Sequence, residues 1–381
     1  MRFPEDVPVL TDGVVTLRAH TEADIPHVVE MGQDPEMQHW TTIPVPYQRH
    51  NAEEFLTEFI PAGWRDGSFW AWAIEYDGRF AGTIDLRGGE GQGGEIGFGA
   101  GPWARGAGVM TRAVRLVLDH AFDTSGWDLV IWRAFVGNWP SRRVAWKAGF
   151  RGLQTLRGGG VSRGARRDEW VASISRDEPR EPHGHWWTVP VLSGDGIRLR
   201  PFRDDDVERT VEACADERTQ YWLAGLPSPY LPAHAQDFVA GRLEHAASGN
   251  SVSWVITDES DRLLANVSIF DLAHRVDHTT GEVGYWAHPD ARGRGVMTAA
   301  VGLAIGHAFK PVAAGGLGRR RLTLLAAEGN EASQHVAVAN GFTLTGTQRA
   351  ATPRRDGSYA DLLMYDLLAA ERPVSPVASV P

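Results

Sequence analysis

"PWARGAGVMTRAVRLVLDHAF" runs from residue 102 to 122, and "PDARGRGVMTAAVGLAIGHAF" runs from 289 to 309. In each, a proline-led turn carries two glycines one residue apart and passes into a run of apolar residues at helical spacing. A strand that ends in such a turn leaves backbone N–H groups unpaired at the positive end of the helix dipole, and that is a place for an anion. Gly106 and Gly108, with Gly293 and Gly295 in the second stretch, keep the main chain bare for approaching oxygens, and Arg105 and Arg292 stand beside them as cations. Two familiar phosphate loops do not fit. The Walker loop ends in Gly-Lys-Ser/Thr, which "ARGAGVMT" lacks, and the dinucleotide fingerprint needs a third glycine where Thr111 and Thr298 stand.

Outward from these stretches the likeness continues at similar spacing. "VTLRAHTEADI" answers "IRLRPFRDDDV", "DPEMQHW" answers "DERTQYW", "FWAWAIE" answers "SVSWVIT", "GEIGFGAGP" answers "GEVGYWAHP", and "NWPSRRVAWKAGF" answers "NEASQHVAVANGF". The order is the same throughout, so the chain is a duplicated domain rather than a short-repeat solenoid. A length of 381 residues suits two cores. We expect an N-terminal domain over 1–182, a second over 183–372, and a disordered Pro-rich tail over 373–381. Residues 176–196 read as the linker, with Trp186 and Trp187 packing it against a domain.

Apolar residues make up 43% and charged residues 23% of the chain, as in globular proteins, and no apolar run is long enough to span a bilayer. The opening "MRFPEDVPVL" has no basic region followed by an apolar stretch, so the expected location is the cytoplasm, where the lone Cys214 would stay a thiol. A formal charge of −10 argues against nucleic-acid binding and suits a cationic substrate. No His or Cys cluster has metal-ligand spacing, so no metal is expected.

Each copy parses as β-α-α-β-β-β-α-β-α-β, an α/β (α+β) arrangement of a mixed central sheet with helices on both faces. Asp77-Gly78 marks a tight hairpin, Ser141 to Lys147 a late helix, and His39, Trp40 and Tyr47 a loop between the first two helices. Glu95, Gly97 and Gly99 fall on one face of their strand by two-residue alternation, a glycine face against which a ligand can lie.

The "WARGAG" and "DARGRG" turns, the preceding "EIGF" and "EVGY", the later "N-x-x-S" and "GF", and the terminal Asp168 and Asp361 resemble the GNAT N-acetyltransferase superfamily, in particular its ribosomal-protein-alanine N-acetyltransferase branch. Trp103 and Asp290 depart from the family's Arg/Gln at the first motif position. The resemblance implies two tandem acyl-coenzyme A N-acyltransferase domains, with acetyl-coenzyme A as co-substrate and a primary amine as acceptor. That amine is a peptide or protein N-terminus or a small molecule such as an antibiotic. The amine is expected to attack directly, in a ternary complex, and the protein to be a monomer or homodimer. An alternative is that one domain only binds acyl-coenzyme A in support of the other.

The same resemblance implies site residues. Arg105, Gly106, Ala107, Gly108 and Val109, with Arg292, Gly293, Arg294, Gly295 and Val296, would hold the pyrophosphate, and Asn138 and Asn330 the pantetheine arm. Ser141 and Ser333 would meet the coenzyme sulfur, although Asn and Ser at those places also serve as helix caps. Glu95 and Glu282 are candidate general bases, or carboxylates that pair with an arginine. Trp40 and Tyr47, with Trp222 and Tyr230, would wall the acceptor side. Arg142, Arg143 and Lys147 are expected to meet the coenzyme's ribose phosphate in the first copy, against Arg294 alone in the second.

Overall fold

The computed structural model describes residues 3–4, 6–89, 92–274 and 276–372. The tail expected over 373–381 lies outside the described residues. The chain divides into two units, Met1–His183 and Gly184–Pro381.

In the first unit the strands are β1 (Leu10–Thr11), β2 (Val15–Arg18), β3 (Phe69–Tyr76), β4 (Arg79–Gly88), β5 (Gly93–Ala100), β6 (Leu129–Phe135), β7 (Arg151–Ser162) and β8 (Ala165–Ser175). In the second they are β9 (Leu192–Gly194), β10 (Ile197–Arg200), β11 (Val252–Thr257), β12 (Leu263–Phe270), β13 (Thr280–Ala287), β14 (Arg321–Ala327), β15 (Thr343–Pro353) and β16 (Tyr359–Leu368). The sheets have matching orders, β1-β2-β3-β4-β5-β6-β8-β7 and β15-β16-β14-β13-β12-β11-β10-β9. Every pairing is antiparallel except β5 with β6 and β13 with β14, so both sheets are mixed.

Alternation along β3 assigns the two faces. Trp72 and Ile74 join the cluster that holds Val109, Ala113, Val114 and Val117 of the helix Val109–Asp119. Ala71 and Ala73 point the other way, into a cluster with Ile25 and Val28 of the helix Ile25–Gln33 and with Leu56 and Ile60. Helices thus cover both faces. The second unit repeats this, with Trp254 and Ile256 against the helix Val296–Phe309 and Val255 against Ala213 and Ala235.

Among the described residues each unit has eight strands where the sequence pattern indicates six. The added ones are the very short β1 and β9 and the edge strands β7 and β15. "RGLQTLRGGGVS" and "TLTGTQRAATP" lack apolar alternation because they are edge strands, largely exposed and broken by register shifts. Asp168 and Asp361 hold those irregular strands, accepting the Gly158 and Ala350 N–H groups at 2.8 Å in each case. His39 and Trp40 lie on a short helix, Pro35–Trp40, rather than in a loop. Asp34 caps it by accepting the Met37 N–H at 2.9 Å, and Pro35 sits where a missing N–H costs nothing. Tyr221 and Trp222 are likewise helical, in Glu217–Trp222 behind Asp216. The Asp77-Gly78 hairpin has the expected positive φ at both residues, 53° and 66°. Trp187 is buried in the second unit's own core and donates its indole N–H to the Gly249 carbonyl at 2.9 Å.

Candidate active site

The glycine turn is exposed main chain. Gly106 and Gly108 hold φ of 78° and 80°, and Gly293 and Gly295 hold 70° and 74°, values that a side chain resists. A Cβ built on any of the four meets nothing within 4 Å, so a ligand can approach the peptide groups directly. The first intrahelical bonds run from the Arg112 N–H to the Gly108 carbonyl and from the Ala299 N–H to the Gly295 carbonyl, at 3.3 and 3.1 Å. The N–H groups ahead of them, through Ala107 and Arg294 to Val109 and Val296, therefore face outward at the helix start while the two valine side chains are buried below. This cradle suits a pyrophosphate.

Arg105 and Arg292 are differently employed from the expectation. Arg105 pairs with Asp34, the cap of Pro35–Trp40, and Arg292 pairs with Asp216 while donating to Thr219 Oγ1 at 2.8 Å. Each arginine ties the glycine turn to the short helix that follows the unit's first helix. At the first motif position, Trp103 donates its indole N–H to the Phe80 carbonyl at 3.1 Å, and Asp290 pairs with Arg209 and Arg262 at 3.1 and 3.0 Å. Both departures from the family pattern are thereby satisfied within the fold.

Next to the turn the sheet is split. β5 pairs with β6 only from Gly93 to Ile96, and β13 with β14 only from Thr280 to Val283. Residues Gly97–Ala100 and Gly284–Ala287 consequently have ladder partners on one side alone. The unpaired half of β5 separates two faces: the glycine-opened helix covers one, and Glu95, Gly97 and Gly99 look onto the other.

Beyond the gap, Asn138 caps Trp139–Lys147 and Asn330 caps Glu331–Ala339, accepting the Ser141 and Ser333 N–H groups at 3.2 and 3.4 Å. The capping role is thus present in both copies, and each Asn keeps its side-chain NH2 for another acceptor. The serines are held by different neighbours. Trp132 donates its indole N–H to Ser141 Oγ at 3.1 Å, whereas the Tyr285 hydroxyl lies 2.9 Å from Ser333 Oγ and donates to the Ser333 carbonyl at 3.2 Å. Burial pushes the Tyr285 phenol up to about 12. Of the cations expected near a ribose phosphate, Arg142 is buried and stacked on Trp139 and Trp170, at 5.0 and 4.7 Å from the ring centres. It is a packing residue. Arg143 and Lys147 keep surface exposure.

The carboxylates differ most. Glu95 lies between Arg87 and Arg133, at 3.4 and 3.2 Å. Arg87 also donates to Asp85 at 2.9 Å, and Arg133 reaches Glu169 at 3.4 Å. Glu282 has Phe270 and Thr323 across its ladders, and burial, with the nearby Asp271 adding, pushes its carboxyl above the ordinary value. Asp85 is itself buried, and that desolvation pushes its carboxyl up against the opposing pull of Arg87. Sequence pattern alone did not single out Asp85; the register that sets it opposite Gly97 reveals it.

On the same face of the first unit is a cavity of about 630 Å3 lined by Met31, Met37, Tyr47, Phe55, Phe69, Asp85 and others, and reaching Phe98 and Gly99. Tyr47, expected to wall the acceptor side, lines this cavity. Trp40 instead stands against Gly137, just ahead of Asn138, with the Arg167 guanidinium 5.4 Å from its ring. Trp222 repeats this against Gly329, with Arg354 at 5.6 Å. Tyr230 is buried, bonded to Cys214 and packed with Trp286, which replaces Gly99. Among the described residues, no group of three or more His, Cys, Asp or Glu side chains is arranged to hold a metal, and no helix is long and apolar enough to cross a membrane.

A family model described as "Acetyltransferase (GNAT) domain" matches residues 15–151 and again 197–343. A Bacillus subtilis protein named "Putative ribosomal N-acetyltransferase YdaF" is 34% identical over 181 residues, which is 46% of this chain and 92% of the relative. Among solved structures, RimJ of Mycobacterium smegmatis, in complex with CoA-disulfide, is similar at 22% identity and a TM-score of 0.42, over 47% of this chain and 85% of its own. The ribosomal-protein-S5-alanine acetyltransferase of Vibrio fischeri is similar at 18% identity and a TM-score of 0.42, over 48% of this chain and 100% of its own.

Proposed function

The chain belongs to the acetyltransferase (GNAT) family in both of its halves, and from that premise we propose that it transfers acetyl from acetyl-coenzyme A to a primary amine, with the first unit as the site of transfer. The observation that carries this reading is the split between β5 and β6, which has a bare helix start on one face and a carboxylate-bearing cavity on the other.

Acetyl-coenzyme A supplies a thioester whose carbonyl carbon takes the amine nitrogen's lone pair, so that a C–N bond forms and the C–S bond breaks. The amides of Gly106–Val109 hold the pyrophosphate in the first unit, and those of Gly293–Val296 do so in the second. Asn138 and Asn330 donate their free side-chain N–H groups to the pantetheine arm. An unpaired N–H of Gly97–Ala100 receives the thioester oxygen and stabilises the charge that develops there.

An ammonium must lose a proton before it attacks. At pH 7 this costs about 4–5 kcal/mol for a lysine-like amine and about 1–1.5 kcal/mol for an α-amine. Glu95 takes that proton, directly or through a water, and Arg87 and Arg133 fix its position. Ser141 hydrogen-bonds to the departing sulfur; with its oxygen accepting from Trp132, its own proton is free to be directed there.

A second reading applies to the second unit. Trp286, 8% exposed, occupies the acceptor side beside Tyr230, which supports coenzyme binding there without an acceptor pocket of the first kind. Glu282 and Ser333 would then be vestiges of a transfer site. The single buried thiol, Cys214, is in keeping with action in the reducing cytoplasm. A thiol-release screen of the full-length protein with acetyl-coenzyme A and an amine panel tests the activity: amine-dependent thiol release is expected, and none with any amine would contradict transfer.

A further inference from the structure

The cavity of the first unit has a marked division of surface. Met31, Met37, Ile43, Phe55 and Phe69 give it apolar and aromatic walls, with Phe59, more than half exposed, as a further lining residue. Into this lining projects the Asp85 carboxylate, 7% exposed. Arg87 Nε occupies Asp85 Oδ1; among the described residues Oδ2 accepts no hydrogen bond. A carboxylate oxygen in such surroundings favours a partner that brings both a positive charge and N–H donors. Beside it is Thr83, whose hydroxyl lies 3.2 Å from the buried His20 Nε2. The seat for Asp85 is built into the strand. A Cβ on Gly97 would come within 2.8 Å of both carboxylate oxygens, so a glycine is required there for Asp85 to lie across β5.

We propose that this cavity selects a small primary amine bearing an aromatic or similarly bulky apolar group, with the rings of Phe55 and Phe69 receiving that group and Asp85 receiving the amine. The inference rests on the acetyl-transfer reading of the same site and names its substrate class. A cavity of about 630 Å3 is of the size that encloses a small molecule. The other carboxylate of the lining, Glu54, is exposed, so a polyamine would have one solvated partner for its further charges and would leave the rest against Met and Phe, at a cost in desolvation. The second unit differs at these places: Trp286, buried, stands where Gly99 is, and the smaller Ala213, Thr219 and Ser251 replace Met31, Met37 and Phe69. Asp85 itself is replaced by Ser268, which bonds to Ser253 at 2.8 Å.

The full-length protein, with saturating acetyl-coenzyme A, is assayed by thiol release with 2-phenylethylamine, spermidine and an alanine-terminated hexapeptide. In parallel, calorimetry measures 2-phenylethylamine binding to the coenzyme A-loaded protein. The expected kcat/KM for 2-phenylethylamine exceeds those of the other two by at least about tenfold. Asp85→Asn and Gly99→Trp should each raise its Kd by about tenfold or more, and Asp85→Asn should do so with acetyl-coenzyme A affinity unchanged. Gly99→Trp is accommodated because its Cβ meets the flexible end of Met37, Cε at 2.6 Å and Sδ at 3.3 Å, and Met31 Sδ at 3.9 Å, and the Met37 end can yield into the cavity. A preference for spermidine or the hexapeptide, or unaltered 2-phenylethylamine binding in both variants, would overturn the proposal. If no amine releases thiol, transfer fails as a reading, and the calorimetric arm still decides whether the cavity takes this class of amine.

Discussion

On the first unit's acceptor face, Asp85, Arg87, Glu95, Arg133 and Glu169 form a chain of ion pairs. The positions that match them by register in the second unit are Ser268, Phe270, Glu282, Leu325 and Leu362. The glycine turns and the caps show no such divergence: the turns have nearly equal φ angles, both Asn caps accept from a Ser N–H, and both turn arginines pair with a capping aspartate. The half that we assign to the cofactor is made of main chain, which many sequences can supply once the glycines and caps are present. The acceptor half is made of side chains, and each substitution there alters charge or volume. Duplication has left the first half alike and the second free to diverge.

The largest contrast is one of volume. Trp286 is buried with its ring against Phe238 and Tyr230, so Trp286→Gly should destabilise the second unit by about 3–5 kcal/mol, as emptying a large aromatic site does. Chemical denaturation checks this, and a loss below about 1 kcal/mol would mean that the ring fills little space.

Next are the turns. Gly108→Trp and Gly295→Trp put a side chain at φ near 80° and 74° and into the open cradle. Each should remove one of two acetyl-coenzyme A sites, and the calorimetric stoichiometry of the full chain should fall from two to one in either variant. Stoichiometry unchanged in both would separate the turns from coenzyme binding.

The carboxylates sharpen the comparison through pH. Folding raises the Glu282 proton affinity above its ordinary value of 4.5, so the fold favours the protonated form. That contribution is whole below the ordinary value and is lost as pH rises through the raised one. Glu282→Gln should therefore raise Tm at neutral pH, with the gain fading in acid. Glu95→Gln breaks two half-exposed ion pairs and should lower stability by no more than about 1 kcal/mol at neutral pH, while reducing turnover. Thermal melts across pH separate the two, and a neutral-pH loss in Glu282→Gln would refute the contrast.

The smallest effects should be shared. Asn138→Ala and Asn330→Ala each remove a cap worth about 1 kcal/mol, and equal losses in denaturant midpoint are expected.

The turns and caps were legible in the sequence because their determinants are local. A glycine pair before an amphipathic run, an Asp-Gly hairpin and an Asn three residues before Ser each act within a few residues of the chain. What escaped was non-local. Arg105 finds Asp34 only through the fold, and Arg142, an apparent surface cation, finds Trp139 and Trp170. Asp85 gains meaning only from a ladder that sets it opposite Gly97. The bulged edge strands β7 and β15 carry no two-residue alternation to read, because much of each faces solvent. The short helix Pro35–Trp40 holds too few apolar residues to display a period, although Asp34-Pro35 was a cap signal that could have marked it.

Turnover in the two single-turn variants of the full-length chain tests most directly whether transfer belongs to the first unit. With acetyl-coenzyme A and 2-phenylethylamine, Gly108→Trp should lose amine-dependent thiol release, whereas Gly295→Trp should retain it at close to the parent rate. Loss in Gly295→Trp with activity preserved in Gly108→Trp would place the reaction in the second unit and contradict the assignment.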